Sequence, residues 1–198
     1  MFPDVPIRDA DSGHDVFNRA ASRNEAMRTL NGYEAVLLCD ADTLVEADPV
    51  MEAVHQAHSG ALHLPFTLYR SWSRNATRRL LDGEEVDESK DADVLSGSTG
   101  GAMVMSPAAW WGIGGMDERF TAWGYEDVAF PLAATVLGSG VVRHAGSVWH
   151  LWHPTDRNAE SPQQQAGAQL CHRYIQAEAP EAMRDLVDEH VRERAPHP

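Results

Sequence analysis

At 198 residues the chain can bury one sizeable core, so it reads as one domain with at most a small appendage. Sixteen basic against 30 acidic residues give a net charge of −14, which excludes nucleic acid as a partner because a phosphate backbone needs a basic stripe. Hydrophobic residues at 43% and charged residues at 23% suit a globular protein; no apolar run approaches the ~20 residues of a membrane span, and no signal peptide is expected.

Met1 to Val16 holds Pro3, Pro6 and Gly13 and predicts a short strand around Val5 to Arg8 followed by a loop. From Phe17 to Leu30 the residues Phe17, Ala20, Ala21, Met27 and Leu30 fall near one helical face, and Asn31-Gly32 supplies the stop. This helix leads into the stretch Ala35-Val-Leu-Leu-Cys-Asp40-Ala-Asp42. Five small or apolar residues running into two carboxylates predict a buried parallel strand that ends at a cleft, the edge where α/β sheets bind ligands. One carboxylate would take a divalent cation such as Mg or Mn and the other a nearby hydroxyl or water. The chain has three Asp-x-Asp pairs where its composition predicts roughly one by chance. Asp9-Ala-Asp11 and Asp91-Ala-Asp93 lie in polar surroundings, so context selects Asp40 and Asp42.

Asp48-Pro49 predicts an N-cap and first-turn proline for a second helix, closed by Gly60. A strand follows from Ala61 to Phe66, then a helix within 70–81. Residues 82–93 carry seven acids and one base, which repel one another and predict a solvated, mobile loop, either a plain linker or a lid. Ser96-Gly-Ser-Thr-Gly-Gly101 precedes a strand from Ala102 to Met105; its paired glycines suit a close ligand approach or a tight turn. Pro107 opens a short helix with Trp110 and Trp111, and Gly112-Ile-Gly-Gly115 forces a turn. Pro131 lacks an N–H, which predicts its place in the first turn of a helix over Val128 to Gly138 and puts Asp127 at or beside the N-cap. A strand from Val141 to Trp149 delivers His150 and His153, and two helices close the chain, the last with Met183, Leu186, Val187 and Val191 on one face. Only two cysteines occur, Cys39 within the apolar strand and Cys171, which predicts free thiols and a reducing, cytoplasmic setting. Lys90 is the single lysine beside 15 arginines, so a Gly-rich phosphate loop ending in Lys is absent.

Taken together, Phe17-Asn-Arg-Ala20, Asp40-Ala-Asp42, Gly100-Gly101 before a strand, Gly114-Gly-Met-Asp117, Trp123-Gly-Tyr-Glu-Asp127 and a late His resemble nucleotide-sugar glycosyltransferases of the GT-A fold. They are most similar to the β-1,4-galactosyltransferase-like group and the C-terminal part of polypeptide N-acetylgalactosaminyltransferases, over residues 5 to 154. The resemblance implies an α/β fold with a Rossmann-like mixed sheet flanked by helices, expected to be short at its N-terminus because Asp-x-Asp arrives at residue 40. A catalytic domain over 1–160 would carry a helical extension over 161–198. It implies an inverting enzyme that uses Mn (or Mg), a UDP-sugar donor and a carbohydrate or glycosylated acceptor, and it leaves a homo-oligomer open.

Carried over by position, Asp42 becomes a metal ligand and His150 the second, with His153 its competitor. Phe17, Arg19 and Asp40 join the donor site, and Gly100, Gly101, Trp123 and Gly124 the sugar and acceptor site. Glu126 would hold sugar hydroxyls and Asp127 would be the base. The chemistry agrees: a cation stabilises charge growing on a leaving diphosphate, Arg19 assists, and a carboxylate at a helix start stays ionised to take the acceptor's proton. Core packing would also explain Trp123, and capping alone would explain Asp127.

Two other readings compete. A non-catalytic sugar- or nucleotide-binding relic of the same fold would keep the cleft without turnover. A haloacid-dehalogenase-like phosphatase also starts with a strand ending in Asp-x-Asp, but it wants Thr or Val where this chain has Leu44, and a late Lys where only Lys90 exists.

Overall fold

The computed structural model describes residues 5–13, 18–30, 32–121, 123–154 and 161–194. Its strands form two four-stranded sheets. The first runs β1 (Val36–Cys39), β6 (Ala102–Met105), β3 (Leu62–Leu64), β7 (Val141–Arg143); the second runs β2 (Thr43–Val45), β8 (Ser147–His150), β4 (Leu68–Trp72), β5 (Ala92–Ser96). Both are mixed, with β3–β7 and β4–β8 parallel and the other pairs antiparallel. The helices are α1 (Arg19–Thr29), α2 (Ala47–Gln56), α3 (Arg74–Leu81), α4 (Glu88–Asp91), α5 (Pro107–Gly112), α6 (Glu126–Leu137), α7 (Pro162–Gln176) and α8 (Pro180–Arg194). No described helix is long and apolar enough to cross a membrane.

The main core forms where α1 and its C-cap lay Ala20, Met27 and Leu30 against Val36, Leu62, Leu64, Met103 and Met105, with Trp110 tilted against Phe130 at 4.3 Å between ring centroids. Burying each large side chain here contributes about 1.5–3 kcal/mol. A second cluster joins Ala129 and Ala133 of α6 to Cys171, Tyr174, Met183, Leu186 and Val187, so the face expected on the last helix is the one it buries.

Several expectations are corrected. The apolar stretch before Asp40 is an edge strand antiparallel to β6, with Cys39 exposed; the strands buried along their whole length are β6 and β3, which have neighbours on both sides. A continuous apolar run reports cover on both faces and carries no information about strand direction. Val5 and Ile7 are exposed and unpaired, so the strand around them does not form. Asp48 is not the cap of α2: Glu46 holds that position, and its carboxylate accepts from the Ser147 amide at 2.8 Å instead. The helix expected within 70–81 starts only at Arg74, capped by Ser73, because 68–72 pair as β4. The acidic stretch is ordered into α4 and the start of β5, since Arg70 and Arg79 neutralise Glu88, Glu84 and Asp91. The strand from Val141 to Trp149 breaks at Gly146, where a Cβ would lie 2.6 Å from Pro49, and its halves enter different sheets.

One polar chain crosses the core. Ser59 Oγ lies 3.2 Å from His63 Nε2, His63 Nδ1 lies 3.0 Å from His144 Nε2, and His144 Nδ1 faces Glu52 at 3.4 Å. Burial first, then His144 and His58, hold His63 below its ordinary value against the Gln56 carbonyl. A base depressed in the fold favours the neutral folded state, so stability is full above the unfolded value near 6.5 and falls as pH drops below it. The expected slope for this group approaches ~1.4 kcal/mol per pH unit. His63→Asn, which cannot titrate, should flatten the loss of melting temperature between pH 7 and 5; an unchanged slope would remove His63 as its source.

Candidate functional site

The pairing of β2 with β8 sets Thr43 opposite His150, and the Leu151 amide donates to the Asp42 carbonyl at 2.8 Å. Asp42 is thereby fixed beside the chain that leaves β8. Its Oδ2 lies 3.4 Å from His150 Nε2 and 3.0 Å from His153 Nε2, and the three ligating atoms fall within 4.8 Å of one another. Tyr69 of β4 stacks on His150 at 5.7 Å, and His153 Nδ1 contacts the Pro154 carbonyl at 2.9 Å. With Nδ1–H donated there, Nε2 presents its lone pair to Asp42. Lone pairs converging in this way need a proton or a cation between them. Asp42 Oδ1 is buried and unpartnered among the described residues, and one carboxylate with two imidazoles is a donor set that suits a divalent first-row ion. The residues therefore fit a divalent metal, and both His150 and His153 face the same carboxylate.

Asp40 turns the other way, as the turn geometry requires. Its protein partner is an arginine: Arg23 Nη2, on a side chain 8% exposed, donates to Asp40 Oδ1 at 2.6 Å. The Asp40 amide donates to Gly101 O at 2.8 Å, which ties the carboxylate turn to the glycine pair. Gly101 has φ +95° and lies against Tyr69, Thr43 and Val148. At Gly100 a Cβ would come within 2.5 Å of Asp127 Oδ2, so the glycines serve a carboxylate's approach and join the Asp42 cluster to α6.

Trp123 is about half exposed and lies outside the buried clusters. Gly124 and Tyr125 both take positive φ, after which Glu126 and Asp127 become the first two residues of α6. Glu126 is 2% exposed; Oε1 accepts from Arg19 Nη1 at 2.8 Å while Oε2 is buried without a partner among the described residues. Burial, then Asp127, push the Glu126 carboxyl above its ordinary range. Burial also raises Asp127, against the pull of Arg19 and Arg23. Arg19→Met should therefore lower stability at pH 8 by about 2–3 kcal/mol, short of a fully buried pair because Arg19 keeps part of its side chain in water. The loss should shrink as pH falls toward the raised Glu126 value, because a protonated carboxyl needs no cation; a loss that does not change with pH in denaturant melts would refute the pairing's importance.

The placement argued from Pro131 is corrected. Pro131 sits inside α6, beyond its first turn, and the N-cap is Tyr125, two residues before Asp127. The proline removes the amide that would bond the Asp127 carbonyl, and the Thr99 hydroxyl donates to that carbonyl instead. Arg143 holds the same loop through the carbonyls of Gly97 and Ser98. Phe17 lies outside the described residues. The sequence reading missed Arg23 and Tyr69. Arg23 could have been found one helical turn beyond Arg19 on the same face; Tyr69 carries no local signal.

Two mixed sheets flanked by helices are consistent with a GT-A-like fold, and within it Asp-x-Asp, a glycine pair and a Glu-Asp helix start come together. Residues 86–151 match a family model described as the N-terminal domain of galactosyltransferase. The matched segment holds Gly100, Gly101, Glu126, Asp127 and His150 but neither Asp42 nor His153. No curated protein matches the chain significantly.

Proposed function

We propose that the protein transfers a sugar from a UDP-sugar to a carbohydrate hydroxyl with inversion, using Mn or Mg held by Asp42, His150 and His153. The observation that carries this reading is the convergence of those three side chains at the end of β8, beside the loop that packs on Asp127. A divalent ion there would supply Lewis-acid stabilisation of the leaving diphosphate. Asp127 takes the proton of the acceptor hydroxyl as that oxygen bonds the anomeric carbon and the bond to the diphosphate breaks. Glu126 Oε2, buried and unsatisfied, accepts from a sugar hydroxyl, and Arg19 keeps Glu126 in place. The half-exposed Trp123 offers its face to the sugar ring. Arg23 holds Asp40 away from the cation side, where its carbonyl and amide shape the turn. The helices α7 and α8 belong to the same catalytic unit.

Thermal unfolding tests the reading. UDP near a hundredfold over its dissociation constant should add about 2.7 kcal/mol of stability when Mn is present and none in excess chelator. His150→Ala and His153→Ala should each reduce the Mn-dependent shift, His150→Ala more, because Tyr69 and deeper burial hold that ring in place. Equal stabilisation by UDP in chelator would sink metal dependence.

A further inference from the structure

A second concavity adjoins the cluster. A cavity of about 240 Å³ is lined by Ser71, Trp72, Ser73, the segment Lys90 to Asp93, and Trp152. Trp152 stands between His150 and His153 in the chain, and Ser71 is the β4 residue in register with His150. The cavity therefore begins about 7 Å along β4 from Tyr69, which stacks on His150. Its aromatic wall is prepared: the Trp152 amide donates to Thr77 Oγ1 at 2.8 Å, and the Arg74 guanidinium lies 5.0 Å from the ring centroid, while 38% of the residue stays exposed.

The charges around it select a chemistry. Lys90 is held by Asp87 at 2.5 Å and Asp91 by Arg79 at 3.4 Å, which uses up the single ammonium and one carboxylate. Asp93 is exposed and registers with Ser71 across the β4–β5 pair, so a carboxylate and a hydroxyl stand side by side next to an indole. The Arg74 guanidinium is taken up by the Trp152 ring, so an anionic ligand meets the remaining Asp93 charge and the net −14 of the protein. An apolar peptide would leave the carboxylates and serines desolvated without partners. A neutral pyranose satisfies both features, its C–H face against the indole and its hydroxyls on Asp93 and Ser71.

We infer that this cavity is an acceptor subsite for a neutral sugar ring, stacked on Trp152 and hydrogen-bonded to Asp93, so that the acceptor is an uncharged oligosaccharide or glycoside and not an acidic one. The inference rests on the transferase reading above, and its test separates the two. Saturation-transfer NMR is run on the metal-free full chain with cellobiose, lactose and chitobiose as neutral probes and D-glucuronic acid as the acidic one. The neutral sugars should receive saturation and D-glucuronic acid should not. Trp152→Ala should weaken the neutral sugars' affinity about fivefold or more, with Trp152→Phe restoring most of it. Asp93→Asn should admit D-glucuronic acid.

In every variant the UDP and Mn shift in melting temperature should persist, which also shows the chain folded. Neutral sugars that bind equally to Trp152→Ala, or that give no saturation in the wild type, overturn the subsite whatever UDP does. Sugar binding that depends on Trp152 in a protein indifferent to UDP and Mn upholds the subsite and removes the transferase reading.

Discussion

Asp127→Asn should lower sugar transfer by about 10²-fold or more, the usual contribution of a positioned base, while the melting temperature at neutral pH should not fall. The substitution keeps the shape of the side chain and its backbone bond to Thr99, and it removes only the ability to take a proton. The sign of the stability effect follows from burial, which raises the Asp127 carboxyl in the fold. A carboxyl raised in this way binds protons more tightly folded than unfolded. Its ionised form therefore costs stability as pH climbs from the ordinary value near 3.9 through the folded one. Above the folded value that cost is complete, and an uncharged Asn escapes it. For the same reason the wild-type rate should rise with pH through the raised value and then level. Initial rates and thermal melts on one preparation decide the matter. Near-normal transfer, or activity lost in proportion to stability, would leave Asp127 a structural residue.

Asp42→Ala should abolish Mn binding and lower transfer by about 10³-fold, the rate equivalent of the several kcal/mol a Lewis acid supplies. His150 and His153 would remain, but two imidazoles without the carboxylate are a weaker and differently charged donor set. The metal-free melting temperature should move little, because Asp42 Oδ1 has no partner among the described residues and Oδ2 loses only partly exposed contacts to His150 and His153. Calorimetric titration with Mn reads the first effect directly; a variant that titrates like the wild type would move the cation elsewhere.

Much of this arrangement was legible in the residues. Asp-x-Asp behind an apolar run, the glycine pair, Trp123 to Asp127 and the late histidines each announce themselves by local chemistry, and the structure gathers them. What escaped is set at a distance. The partner of Asp40 is an arginine one helix away, and the ring beside His150 comes from Tyr69, on a strand whose neighbours in the sheet are β5 and β8. The direction of β1 could not be read because burial, not orientation, sets an apolar run. Pro131 misled for an instructive reason: a proline within a helix is excluded only if the carbonyl it orphans finds nothing else, and Thr99 supplies the donor.

Tyr125 is the only described residue other than glycine with positive φ, at 72°, a conformation that costs roughly 1–3 kcal/mol and persists only where its surroundings insist. What insists is α7. Gly167 receives the Tyr125 ring so closely that a Cβ there would sit 3.2 Å from it, and Gln164 donates to the Trp123 carbonyl at 3.0 Å. The C-terminal helices thus act as a clamp on a sprung turn, and the aim of Glu126 and Asp127 is stored in that tension. Loosening the clamp, by a larger side chain at 167 or by loss of α7, would let the turn relax and swing both carboxylates off target without touching either one.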